Sequence, residues 1–215
     1  MTETLPDRLK AETRALHTSV ERSVLMRALL GSGFDRAAYV ALLRALHTIY
    51  AALEEALARQ AGHPAIAPLR LPGLDRAGAL AADLDALHGP GWADTLPSVP
   101  EASIYARHLG HLAHAQPERL VAHAYVRYLG DLNGGRVLQR RVAGALQRPD
   151  ATSFYDFGGE DGAARLARDV RAALAGLAPA HADAVVDEAR RAFEMHQRLF
   201  DEIARRNLPA AGFSA

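Results

Sequence analysis

The chain has no cysteine in 215 residues. Disulfides, thiolate nucleophiles, iron–sulfur clusters and cysteine-ligated zinc are therefore excluded. It has no excess charge either, with 25 basic residues against 25 acidic. That balance gives no bulk attraction to nucleic acid or to an anionic membrane. No apolar run approaches the ~20 residues of a membrane span, so no anchor is expected. The opening MTETLPDRLKAETR is polar and does not read as a signal peptide, which makes a soluble, cytoplasmic protein the expectation. Alternating β-branched runs are missing, and with them any sign of a sheet. No G-x-G-x-x-G element follows a strand, and neither a P-loop nor a G-x-S-x-G element occurs. If the protein does redox chemistry, its electrons come from outside. Lysine is nearly absent as well: Lys10 is alone among the basic residues, the rest being arginine.

What is present is helical almost throughout. Thr4 can cap a first helix with Pro6 in its first turn, and Leu9, Leu16, Val20 and Val24 give it one apolar face. GSGF (31–34) reads as a turn, after which Asp35 caps a long helix running to about residue 60. Residues 61–73 form a Pro/Gly-rich connection, and Asp75 opens a shorter helix that ends at HGPGW (88–92). Pro97 and Pro100 bracket the entry to a helix over 101–115, and another long helix starts at Pro117. RPDATSFYDFGG (148–159) is the next break, followed by helices over about 160–177 and 180–206 on either side of Pro179. The pattern predicts one all-α domain over 1–215, with a core of about 5–206 and no internal linker.

Two stretches carry candidate chemistry. Lys10, Arg14, His17 and Glu21 are spaced four, three and four apart, which sets them on one helical stripe. His17 lies beside the apolar face and is placed to bind a haem iron or another metal; the same spacing also fits an exposed ladder of charges. The second stretch is YLGDLNGG (128–135). Each glycine in a helix interior costs about 0.5–1 kcal/mol relative to alanine. Gly130 and Gly134 share a face, with Gly135 beside it. Such a bare face admits either a second helix or a flat ligand, and adjacent glycines allow a kink. Asp131 among them needs hydrogen-bond partners, which waters can supply. His108, His111 and His114 do not converge at a 3.6-residue period and read as a partly solvated face. A di-iron site of paired Glu-x-x-His elements is absent; Asp85 and His88 form one Asp-x-x-His.

AHAYVRYLGDLNGGRVL (122–138) closely resembles the signature segment of haem oxygenases. LKAETRALHTSVE (9–21), IYAALEEAL (49–57), HGPGW and AFEMHQRLF (192–200) resemble further parts of that family, so the likeness covers residues 5 to about 206. The resemblance implies a multi-helix bundle with haem b, both substrate and cofactor, sandwiched between the first helix and a kinked distal helix. His17 is then the proximal iron ligand, its orientation fixed by Glu21. Gly130, Gly134 and Gly135 bring the distal helix close to the porphyrin. Asp131, acting with the closely approaching Gly130 and Gly134, is the catalytic residue and holds a water network beside oxygen bound to the iron. Lys10, Arg14 and Arg171 match propionate contacts, Tyr125 sits near the propionate edge, and Phe193 is close to the haem. The implied reaction is O2-dependent cleavage of haem to biliverdin, carbon monoxide and ferrous iron, without tightly bound flavin or nicotinamide. Its implied partners are an external electron donor (a ferredoxin or flavoprotein reductase) docking near Arg136, Arg140 and Arg141, and a biliverdin acceptor such as a phytochrome or biliverdin reductase.

Four positions depart from the family's frequent residues: Asn133, Arg136, His196 in place of asparagine, and Ala167 where a basic propionate contact occurs, with Arg165 or Arg168 nearby. His196 can alter proton supply or compete for the iron. The alternative function is a haem carrier or store of the same fold. Thiamin-degrading relatives of the fold use a cysteine nucleophile, which this chain lacks.

Overall fold

A computed structural model describes residues 4–31 and 33–209, and every regular element among them is helical. The expected domain limits at residues 1 and 215, and Ser32 of the expected turn, lie outside the described residues. Helix α1 (Leu5–Glu21) starts as expected, with Thr4 Oγ1 accepting from the Asp7 amide and Pro in the first turn. It stops earlier than its apolar spacing suggests. The Ser23 hydroxyl accepts from the Met26 amide at 3.3 Å and starts a separate helix, α2 (Val24–Leu30), so Val24 belongs to a new axis.

Helix α3 (Arg36–Arg59) is the central element, capped by Asp35 accepting from the Ala38 amide at 2.8 Å. Its Tyr39, Leu43, Ile49, Tyr50 and Leu53 are fully buried. It packs against α4 (Ala77–His88), α6 (Pro100–Ala115) and α10 (Ala182–Asn207). Asp75 does not cap α4. The Glu54 carboxylate reaches over from α3 and accepts from the Arg76 and Ala77 amides at 2.5 and 3.1 Å. A cap delivered from a neighbouring helix leaves no local signal in the sequence. The short α5 (Trp92–Thr95) precedes α6.

The glycine-bearing segment is irregular. After a 3-10 turn (Pro117–Arg119) come α7 (Leu120–Ala124), a π-helical turn (Tyr125–Leu129) and α8 (Gly130–Leu146). The departure from α geometry thus lies in the turn before the glycines. A π turn inserts an extra residue and re-aims the side chains that follow, a device common at functional sites. Helix α9 (Gly159–Ala175) and α10 complete the bundle. The connection into α9 is pinned by Asp83 of α4, whose carboxylate accepts from the Ser153 and Phe154 amides at 2.7 and 2.9 Å. Helix α10 lies along α1 and α7, which brings residues 193–200 behind the first helix and the π turn.

Candidate active site

A cavity of about 410 Å³ opens between α1, α3, α8 and α10. It falls within the ~300–1,000 Å³ usual for cofactor and substrate sites. Its walls include His17, Glu21, Gly130, Asp131, Gly134, Gly135, Phe193 and His196, so seven of the sequence-predicted site residues meet in one place together with His196. Leu42, Leu46, Val126, Leu138 and Phe154 make the rest largely apolar.

On the α1 side, His17 is half solvent-exposed and its Nδ1 lies 3.4 Å from Glu21 Oε2, one turn on. That contact leaves Nε2 as the nitrogen free to bind a ligand. The Phe193 ring meets the imidazole edge-on, with centroids 5.8 Å apart, and limits its rotation.

On the α8 side, an added Cβ at Gly130 or Gly134 would meet no atom within 4 Å. These glycines are therefore not required by packing against another helix, and a helix interior without that requirement gains nothing from them. Their bare faces fit a flat ligand that brings its own atoms into the open space. Gly135 differs: a Cβ there would stand 3.2 Å from Cδ1 of Tyr155, so this glycine has a packing reason of its own.

The partners that the Asp131 carboxylate needs are protein groups. Arg127, one turn earlier on the π segment, donates from Nη2 to both carboxylate oxygens at 3.1 and 2.8 Å. Tyr50 of α3 donates a short hydrogen bond to Oδ2. Burial pushes the Asp131 carboxyl above its ordinary range, and the Arg127 charge with the two hydrogen bonds opposes that. Tyr50 is likewise raised, chiefly by burial, and remains a proton donor. Arg127 also donates from Nη1 to His196 Nε2 at 3.0 Å, while His196 Nδ1 donates to the Ala192 carbonyl at 2.8 Å. Burial, then the Arg127 charge, holds His196 well below its ordinary pKa, so the ring is neutral and both nitrogens are engaged. Tyr50, Arg127, Asp131 and His196 form one continuous network, of which Arg127, Asp131 and His196 line the cavity and Tyr50 stands behind them. Sequence reading missed Tyr50 and Arg127. Arg127 stands at i−4 from Asp131, which was a usable signal; Tyr50 lies 81 residues away and gave none.

The expected propionate contacts, Lys10, Arg14, Tyr125 and Arg171, are not among the residues that line the cavity. Lys10 and Arg14 are exposed and, among the described residues, carry no hydrogen bond or ion pair. Arg171 is exposed and donates to Asn133 Oδ1 at 3.2 Å. Burial raises the pKa of the Tyr125 phenol, with Thr13 of α1 and the Arg171 charge of α9 opposing the rise. Arg165 and Arg168 are exposed and Ala167 is buried. Of the expected docking arginines, Arg140 is exposed, Arg136 pairs with Glu160 at 2.8 Å, and Arg141 turns inward to the Gly31 carbonyl. His111 and His114 are exposed, whereas His108 turns toward α10.

A family model described as heme oxygenase matches residues 3–202. Heme oxygenase of Pyropia yezoensis is 35% identical over 207 residues, covering 94% of this chain and 87% of that protein. Heme oxygenase 1 of Homo sapiens is 34% identical, covering 94% and 73%. Among solved structures, heme oxygenase-1 from Synechocystis sp. PCC6803 in complex with heme superposes with a TM-score of 0.90 at 30% identity, over 98% of this chain and 96% of that one. The chain belongs to the haem oxygenase family. No helix among the described residues is long and apolar enough to cross a membrane.

Proposed function

We propose that the chain binds one haem between α1 and α8 and cleaves it with O2 at a meso carbon, giving biliverdin, carbon monoxide and ferrous iron. The observation that carries this reading is the meeting of His17 with the glycine-bared face and Asp131 of α8 in one largely apolar cavity. Bound haem supplies both the iron that takes up oxygen and the carbon that is oxidised. The chain's residues do the rest. His17 would hold the iron through Nε2, while Glu21, 3.4 Å from Nδ1, would raise the basicity of the imidazole. Gly130 and Gly134 let the backbone of α8 lie close to the ring, so approach from that side is restricted and one ring edge is favoured. Asp131, fixed by Tyr50 and Arg127, would supply a stationary acceptor on the α8 wall of the cavity. With burial raising its pKa, the carboxylate also takes up a proton more readily than an exposed aspartate does.

Lys10, Arg14, Tyr125 and Arg171 are the polar groups that would take the propionates. Reduction comes from a separate ferredoxin or flavoprotein, with exposed Arg140 as the charge best placed to steer an acidic donor. Aerobic turnover of the 1:1 hemin complex with ascorbate, followed by absorption and isomer analysis, tests the reading. Biliverdin formation is the expected outcome. Stable 1:1 binding with an intact porphyrin spectrum would make the chain a haem carrier.

A further inference from the structure

Behind the distal network lies a second group of polar side chains that the haem chemistry does not use. His108 of α6, His123 of α7 and Glu188 of α10 come from three different helices. Their ligand atoms all lie within 4.8 Å of one another. Both imidazole Nε2 atoms approach one carboxylate oxygen, Glu188 Oε1, at 2.6 Å from His108 and 3.1 Å from His123. His123 and Glu188 are buried, and His108 closes the group toward solvent with 12% of its side chain exposed. The Tyr105 hydroxyl stands 2.8 Å from His123 Nδ1. The second carboxylate oxygen, Oε2, takes Arg119 Nη1 at 3.3 Å.

We propose that His108, His123 and Glu188 form a binding site for a divalent first-row transition ion, separate from the haem cavity, with zinc and cobalt as its probes. Two imidazoles and one carboxylate suit borderline ions such as Zn²⁺, Co²⁺ or Fe²⁺ and are a poor set for Mg²⁺ or Ca²⁺. Ligand atoms of a tetrahedral site with bonds near 2.0–2.1 Å stand about 3.3 Å apart. Against that spacing the His123 contact at 3.1 Å is nearly right and the His108 contact at 2.6 Å is too close, so the carboxylate and the solvent-side His108 ring move apart as the ion enters. Each histidine needs its Nε2 lone pair, which moves the ring proton to Nδ1. On His123 that proton has an acceptor in place, the Tyr105 hydroxyl, the arrangement that normally orients a metal-bound imidazole. Glu188 is already ionised: burial raises its pKa, but the hydrogen bonds from His108 and His123 outweigh it and hold the carboxyl well below its ordinary range. Arg119 keeps the carboxylate monodentate and adds a repulsive charge, which sets the affinity below that of a four-ligand structural site. The solvent-facing side next to His108 leaves a position for water and is the entry path.

Cobalt(II) titration of the haem-free full chain tests the site, followed by visible d–d bands, with zinc competition by calorimetry. One equivalent of cobalt is expected, displaced by one equivalent of zinc. His108→Ala removes a ligand at the solvent edge and should weaken binding by at least about tenfold, while His111→Ala and His114→Ala on the same helix leave it unchanged. Glu188→Asp, which keeps the charge and shortens the reach, should give intermediate affinity. Circular dichroism melts of each haem-free variant establish that the comparison is between folded chains. Absence of cobalt bands in the parent, or equal affinity in folded His108→Ala, overturns the proposal.

Discussion

Gly134→Ala separates a glycine kept for a ligand from one kept for the fold. A Cβ at this position meets nothing within 4 Å in the haem-free protein, and the residue lies inside α8. Helix propensity alone therefore predicts stabilisation by about 0.5–1 kcal/mol. For a domain of this size that raises the haem-free melting temperature by about 1–4 °C. The bound state reverses the sign. A methyl group pushed into the space reserved for a flat ligand overpacks the site by about 1–3 kcal/mol, or roughly 5- to 150-fold in hemin affinity. Gly135→Ala is the internal control. Its Cβ would press on the Tyr155 ring at 3.2 Å, so the propensity gain should vanish and the haem-free protein should melt no higher than the parent. Thermal melts of the haem-free proteins and hemin titration of the same samples read both effects. A Gly134→Ala protein that melts higher and binds hemin as tightly as the parent would refute the reasoning, because the bare face would then serve no ligand.

The remaining predictions concern the walls of the cavity and the cluster behind it. His17→Ala should lose the imidazole–iron spectral signature and turnover, with activity restored by added imidazole; an unchanged spectrum would place the ligand elsewhere. Arg14→Ala with Arg171→Ala should weaken hemin binding by no more than roughly fivefold per residue, because both side chains are exposed and their ion pairs are screened. A changed biliverdin isomer ratio in that double variant would show that these two arginines set haem rotation, and an unchanged ratio with unchanged affinity would turn the propionates away from them. Reduction by an acidic donor should slow as ionic strength rises, and Arg140→Ala should flatten that dependence. Glu188 has a folded pKa below its unfolded value, so its stabilisation is complete above the ordinary carboxylate range and disappears as pH falls through the folded value. Glu188→Gln should therefore melt well below the parent at neutral pH, by about 3–5 kcal/mol if the buried partners stay unpaired, with the gap narrowing in acid. A gap that does not change with pH would assign the loss to packing.

Much of this architecture was legible in the chain. The apolar periodicity, the Thr4 and Asp35 caps and the proline positions located most of the helices within a few residues, because those signals are local. The misses share a cause. Ser23 starts a new helix inside what reads as a continued apolar stripe, and Glu54 caps α4 from another helix, so the deciding interaction is tertiary. The π turn has no sequence signature, since its residues are ordinary helix formers. At the site, His17, Glu21 and the glycines were found by spacing and resemblance. The partners of Asp131 were not, because Tyr50 arrives from α3 and only the fold brings it there. His108 was set aside for failing to converge with His111 and His114 on its own helix. Its actual companions, His123 and Glu188, lie 15 to 80 residues further along the chain.

The most direct test of the catalytic reading is single-turnover analysis of Asp131→Asn. The amide keeps the size of the carboxylate while removing its charge from Arg127 and its strong acceptor from Tyr50. Hemin affinity should stay close to that of the parent, since Asp131 is not an iron ligand in this account, and the biliverdin formed per bound haem should fall steeply. A full yield of biliverdin per bound haem from Asp131→Asn would contradict the assignment of Asp131 and the distal network to catalysis.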